Sequence, residues 1–135
     1  MKADTRITPE KRQKRPNLEN NLTRHRTMHW LYLIIAITME VAGTTCMKLS
    51  EGFSKLLPSI SIFIFYGISF TFLTLALKVL PVGMTYAVWS GAGTALITLV
   101  GIIWFGESFN MIKVISLLLI IIGVAGLHAS RESLL

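Results

Sequence analysis

Polar positions nearly vanish from this chain after Met28. Four apolar stretches follow one another, at about Trp30–Met47, Pro58–Leu80, Thr85–Phe105 and Met111–Ala129. Each approaches the roughly 20 residues that a helix needs to cross a 30 Å hydrocarbon core. Inside lipid only helices and closed barrels satisfy their own backbone, and these runs do not alternate as barrel strands would. The pattern predicts an all-α integral membrane protein with four transmembrane helices. The connections are short: "KLSEGFSKLLP" with Gly52 as the break and Pro58 near the next helix start, "LKVLPVG" with Pro81 and Gly83, and "FGESFN". Links this tight make neighbouring helices antiparallel. Trp30, Tyr32 and Trp104 fall at the ends of the spans, where an aromatic belt sits.

Composition narrows the function classes. The chain has 135 residues, 53% of them hydrophobic, so no room is left for a soluble catalytic domain, and an enzyme is not expected. The first segment follows a basic stretch, but three more spans come after it and no polar mature domain does, which excludes a signal peptide. Cys46 is the single cysteine, so no intrachain disulfide can form and a cysteine-rich metal site is excluded. His25, His29 and His128 offer no ligand pair at helical spacing, and neither a metal nor another cofactor is expected.

Residues 1–27 have another character. Eight basic residues stand there against Asp4, Glu10 and Glu19, a net +5 of the overall +6. With no apolar periodicity this tail is expected to be disordered and to be drawn to anionic lipid headgroups rather than to nucleic acid. Residues 28–135 form the membrane domain. Because "MHWLYL" opens a membrane helix without preamble, Met28 is an alternative start, which would make 1–27 upstream sequence. The tail matters for topology. Without it, an inside N-terminus puts Lys78 and Arg131 inside and Lys48, Lys55 and Lys113 outside, which is no bias. With it, the basic residues hold the N-terminus in the cytoplasm.

One residue breaks the apolar pattern in mid-span. In "LIIAITMEVAGTTCMKLSEGF", Glu40 carries a carboxylate to bilayer depth, at a cost of roughly 2.5 kcal/mol or more. Its helical neighbours are Leu33, Ala36, Ile37, Gly43, Thr44 and Met47. No basic residue on that face neutralises it, and removal from water favours its protonated form. Proton exchange near neutral pH is then open to it. On the third segment Tyr86 and Trp89 share a face, followed by Gly91 and Gly93, which allow close approach or a bend. The second adds Tyr66, Ser69 and Phe70. Aromatic faces attract weakly hydrated cations, so a buried acid beside Tyr66, Tyr86 and Trp89 suits a lipophilic cation. Ala36 and Ile37, one turn before Glu40, are further candidate contacts. On the fourth segment Ser116, Gly123 and Gly126 lie on or near one stripe of small residues that lets two membrane helices pack closely. Four short helices enclose a cation pathway poorly, so a second copy is expected, with this stripe as the contact. Glu51 is expected to be a solvated loop partner of Lys48 and Lys55, Glu107 to sit at headgroup level, and Lys48 to snorkel.

The stretches "EVAGTTCMKLSEGF", "LPVGMTYAVWSGAG" and "GIIWFGE" together resemble the small multidrug resistance transporters, and within them the quaternary-ammonium branch; the match runs from residue 28 to about 130. The resemblance implies proton-coupled export of lipophilic cations across the inner (plasma) membrane. It implies that Glu40 binds proton and substrate in turn, that Tyr66, Trp89 and Tyr86 contact substrate, and that Thr44 and Ser69 line the site. It also implies an antiparallel homodimer inserted in both orientations, which the basic tail opposes; a heterodimer stays open. In the guanidinium-exporting branch a tryptophan follows the glutamate by three positions. Here that place is Gly43, expected to leave space for a bulkier cation. Two alternatives remain: export of small guanidinium or polyamine cations, and a non-transporting membrane subunit that binds a partner through its fourth helix.

Overall fold

In a computed structural model of the chain, residues 9–132 are described, with side chains over 27–130. Four helices follow in order: α1 (Pro9–Leu49), α2 (Leu56–Ala76), α3 (Val82–Phe105) and α4 (Met111–Glu132). Among the described residues there is no strand. Four segments are long and apolar enough to cross a membrane, Thr27–Leu49, Leu56–Ala76, Val82–Phe105 and Met111–Ser130.

The spans match the apolar stretches in number and order, and they differ at their ends for local reasons. Pro58 falls in the first turn of α2, where a missing N–H costs nothing, so the helix starts two residues before it. At the other end α2 stops at Ala76 rather than at residue 80. Pro81 drives Leu80 out of the helical region, and the chain tightens into turns closed by Val79 and Leu80 N–H on the Ala76 carbonyl at 3.3 and 3.0 Å. Pro81 then caps α3 from an extended conformation, with Thr85 donating to its carbonyl through both N–H and hydroxyl at 2.9 and 2.8 Å. Gly83, expected in the break, therefore lies in the first turn of α3. The backbone of α1 is helical from Pro9 onward, where composition predicts a disordered tail; residues 1–8 lie outside the described residues. A formed helix extends more readily than it nucleates, and the span supplies that nucleus, against the cost of Pro16 inside the extension.

The loops carry the special backbone. Glu51, Gly52 and Phe53 all sit at positive φ, 48°, 69° and 66°, reversing the chain in a short left-handed stretch closed by Lys55 N–H on the Ser50 carbonyl at 3.1 Å. α3 ends on Gly106 at φ 64°, and Glu107 N–H returns to the Gly101 carbonyl at 3.0 Å, which satisfies one of the orphan acceptors of the helix end. Asn110 Oδ1 accepts from Lys113 N–H at 2.8 Å and caps α4.

The main seam joins α1 to α2, α3 lies on α1, and α4 rests against α3. Leu33 and Ile37 of α1 pack with Ala76 and Leu80 at the core, flanked by Trp30, Tyr32, Val88 and Trp89. Trp30 and Tyr32 thus pack on the core as well as marking a span end, while Trp104 stays exposed. Ser69 is fully buried and donates to the Ala36 carbonyl at 2.7 Å, a hydrogen bond between helices where no water competes. The other hydroxyls in the spans mostly turn back on their own helix: Thr38, Ser61, Thr71, Thr74, Thr94 and Thr98 each donate to the carbonyl four residues earlier. That is how serine and threonine are tolerated facing lipid.

Candidate functional site

Glu40 lies midway along the first span, and its side chain leaves α1 toward α3. Thr44, one turn later, shares its one hydroxyl proton between Glu40 Oε1 at 3.2 Å and the Glu40 carbonyl at 3.0 Å. The Thr44 hydroxyl also lies 2.8 Å from the Tyr66 hydroxyl of α2. Carboxylate, threonine and tyrosine therefore form one chain of hydrogen bonds across two helices. Among the described residues no basic side chain pairs with Glu40.

The other oxygen faces α3. A Cβ placed on Gly93 would lie 2.7 Å from Glu40 Oε2, so only glycine leaves the carboxylate its place. Around it opens a cavity of about 180 Å³, lined by Glu40, Trp89, Ser90, Gly93, Thr94 and Ile97. Trp89 Nε1 is buried without a hydrogen-bond partner, a donor left over beside an acid. The aromatic rings form a row: Tyr66 to Phe70 at 5.9 Å, Phe70 to Trp89 at 6.3 Å and Trp89 to Tyr86 at 5.6 Å between centroids. Tyr86, at the outer end, is 61% exposed. An apolar groove of about 420 Å³, walled by Val41 of α1 and Leu96, Leu99 and Val100 of α3, opens nearby.

The residues expected at the site fall into three groups. Glu40, Thr44, Tyr66 and Gly93 are brought together, with Trp89 on the cavity wall and Tyr86 reached through it. Ala36, Ile37 and Ser69 lie instead in the α1–α2 and core packing, and Ser69's donor is committed to the Ala36 carbonyl. Gly91 faces away from the acid: a Cβ there would meet Val124 Cγ2 at 3.0 Å and Ile120 Cγ2 at 3.2 Å on α4. Two glycines that read alike in sequence thus admit a carboxylate on one side of α3 and a helix on the other. Gly43 departs from expectation. The space beside it is filled by the Tyr66 ring, whose Cδ2 and Cε2 would lie 2.9 Å from an added Cβ, so the glycine seats a tyrosine rather than opening the site. Ser116, Gly123 and Gly126 are exposed, and nothing lies within 4 Å of a Cβ on either glycine. Round α4 from the centre of the Ile120–Val124 face, Ser116 and Gly123 lie about 60° and 80° away and Gly126 about 140°.

Ser90, Thr94 and Ile97 were not read from the sequence as site residues; their spacing from Trp89 and Gly93 along one helix was the available signal. The loop acids also sort themselves. Glu51 pairs with Lys55 at 2.6 Å as expected, but Lys48 turns to Glu107 at 2.5 Å, with Lys113 at 3.7 Å from the same carboxylate. Hydrogen bonding and charge from Lys48 hold the Glu107 carboxyl below the usual carboxylate range.

Four apolar spans, one mid-membrane acid and a row of aromatics beside it make the frame of a small multi-pass membrane protein. The chain belongs to the Small Multidrug Resistance protein family, whose profile matches residues 28–120. It is 54% identical over 101 residues to the uncharacterized membrane protein YvaE of Bacillus subtilis, covering 75% of this chain and 85% of that one. It is 47% identical over 106 residues to the quaternary ammonium compound-resistance protein QacG of a Staphylococcus species, covering 78% and 99%. With the multidrug resistance protein EbrA of Bacillus licheniformis it shares 37% identity over 101 residues, 75% of this chain and 96% of the relative.

Proposed function

We propose that this chain exports lipophilic, quaternary-ammonium-type cations from the cell across the plasma membrane in exchange for protons, with Glu40 as the shared binding group. The observation that carries the reading is a carboxylate that, among the described residues, has no basic partner and opens to a cavity walled by Trp89. Family membership and the relatives named for quaternary ammonium and multidrug resistance support it. A carboxylate in that setting holds a proton or pairs with an organic cation, and not both well at once. Competition for the one group couples cation movement outward to proton movement inward, provided the site faces one side of the membrane at a time. Thr44 steadies the carboxylate, Trp89 Nε1 supplies a donor to its ionised form, and the aromatic row accepts the apolar body of the cation.

A homodimer follows from size. Sites for drug-sized ligands run to about 300–1,000 Å³, and the protomer's cavity is about 180 Å³. A second copy, packed through Ser116, Gly123 and Gly126 and inserted in the opposite orientation, brings a second Glu40 and enlarges the site. The two carboxylates then titrate as a pair. The same volume favours a second reading, a small guanidinium-type cation held within one protomer, and a panel of cations scored by resistance separates the two.

The test is proton release from detergent-purified protein on addition of a quaternary ammonium ion. Wild type should release protons and Glu40→Gln none, and Glu40→Gln should abolish growth protection. Export surviving in Glu40→Gln, or a wild type that releases no protons, overturns the reading; the latter outcome fits a non-transporting subunit.

A further inference from the structure

A second cavity, of about 220 Å³, adjoins the first between α1 and α3, toward the C-terminal ends of both helices. Ile97 is a wall of both cavities, and Thr44, which donates to Glu40, lines the second. Its far side is made by Lys48, Gly101, Phe105 and Glu107. The two voids therefore lie side by side along α1 and α3, the outer one at the helix ends and the inner one at Glu40.

The outer void already holds a cation, one belonging to the chain itself. The Lys48 ammonium sits 2.5 Å from Glu107 Oε1 and 4.5 Å from the centroid of the Phe105 ring. A carboxylate and an aromatic face are the two groups that recognise organic cations. The backbone is shaped for them. Glu107 folds back over the end of α3, where a Cβ on Gly101 would lie 2.8 Å from its Oε2, and its own N–H is fixed to the Gly101 carbonyl. Lys48 and Glu107 both keep about half their side-chain surface exposed, 50% and 42%. Ion pairs in that setting are held weakly, so Lys48 is a displaceable occupant. Lys113, at 3.7 Å, is a looser one.

We propose that Glu107 and the face of Phe105 form a peripheral subsite for lipophilic organic cations, which Lys48 fills until a substrate cation displaces it on the way to Glu40. The proposal rests on the cation-transport reading above, and its test is arranged so that the two fail separately. Equilibrium binding of radiolabelled tetraphenylphosphonium is measured on the full chain in detergent at neutral pH and low salt. Glu40→Gln should lose the tight component; a tight component that survives counts against the Glu40 reading alone. In that background Lys48→Gln should unmask a weaker, saturable component that salt suppresses. Adding Glu107→Gln should remove it, and adding Phe105→Leu instead should weaken it roughly two- to fivefold, the worth of an exposed cation–π contact. Equal binding by the double variant and the Glu107→Gln triple variant overturns the proposal. If Lys48→Gln fails to fold, Glu107→Gln in the otherwise wild-type chain decides. It should slow tetraphenylphosphonium association by roughly threefold at low salt with little change in final affinity, as loss of a rim charge does; an unchanged association rate overturns it.

Discussion

Gly93→Ala places one methyl group against the Glu40 carboxylate. The added Cβ would stand 2.7 Å from Glu40 Oε2 and 3.6 Å from its Cδ, where ordinary contact begins at 3.4 Å, so the oxygen must retreat by about 0.7 Å. Retreat pushes the Glu40 side chain about 30° off a staggered χ1 or χ2 rotamer, at about 0.5–1.5 kcal/mol, or strains the Thr44 bond at 3.2 Å. The methyl also enters a cavity of only about 180 Å³. Against this, alanine favours a helix over glycine by about 1 kcal/mol. Fold stability should therefore stay near the wild-type value while the site is damaged. A loss of about 1.4 kcal/mol in cation binding is tenfold, and roughly that drop in tetraphenylphosphonium affinity is expected, with resistance falling alongside. Thermal denaturation in detergent and equilibrium binding, run on the same preparation, read the two effects apart. Binding within twofold of wild type would show that the carboxylate does not work from the position next to Gly93.

Ser69→Ala should cost stability by about 0.6 kcal/mol and no more than about 1.7, the range for hydrogen bonds between membrane helices, because it removes the 2.7 Å bond to the Ala36 carbonyl. A large loss of cation affinity with unchanged stability would instead put Ser69 in contact with substrate. Glu107 is held below its ordinary value of 4.5 by Lys48. Its contribution to stability should be complete above that pH and disappear as the pH falls through its lowered value. The difference in melting midpoint between wild type and Glu107→Gln, followed from neutral into strong acid, should be constant and then vanish. Gly123→Ile meets open space within the protomer, so it should leave helix content intact and reduce dimer formation in cross-linking or sedimentation; an unchanged dimer would move the contact elsewhere.

The spans were legible because lipid permits so little: four long apolar runs have one solution. Their ends were not, since Pro81 acts on residues before and after it, shortening α2 to Ala76 and starting α3 at Val82. Glu40 stood out for the same reason as the spans, an expensive group where only cheap ones belong, and Thr44 followed at one helical turn. What the sequence hid was partner choice between segments. Lys48 reads naturally with Glu51, three residues on, yet the left-handed loop carries Glu51 to Lys55 and leaves Lys48 to a residue 59 positions away. Gly43 beside the acid looked like room, and the Tyr66 ring fills it. Gly91 and Gly93, two residues apart, stand about 200° apart on α3, but which faces Glu40 and which faces α4 comes only from the packing.

That separation lets heredity act on the two sides of α3 one at a time. Among the described residues Glu40's chamber has no wall from α4, and α4 meets α3 where Ile120 and Val124 face Gly91. A lineage can therefore vary the outer face of α4 without touching the residues that wall Glu40's chamber within the protomer.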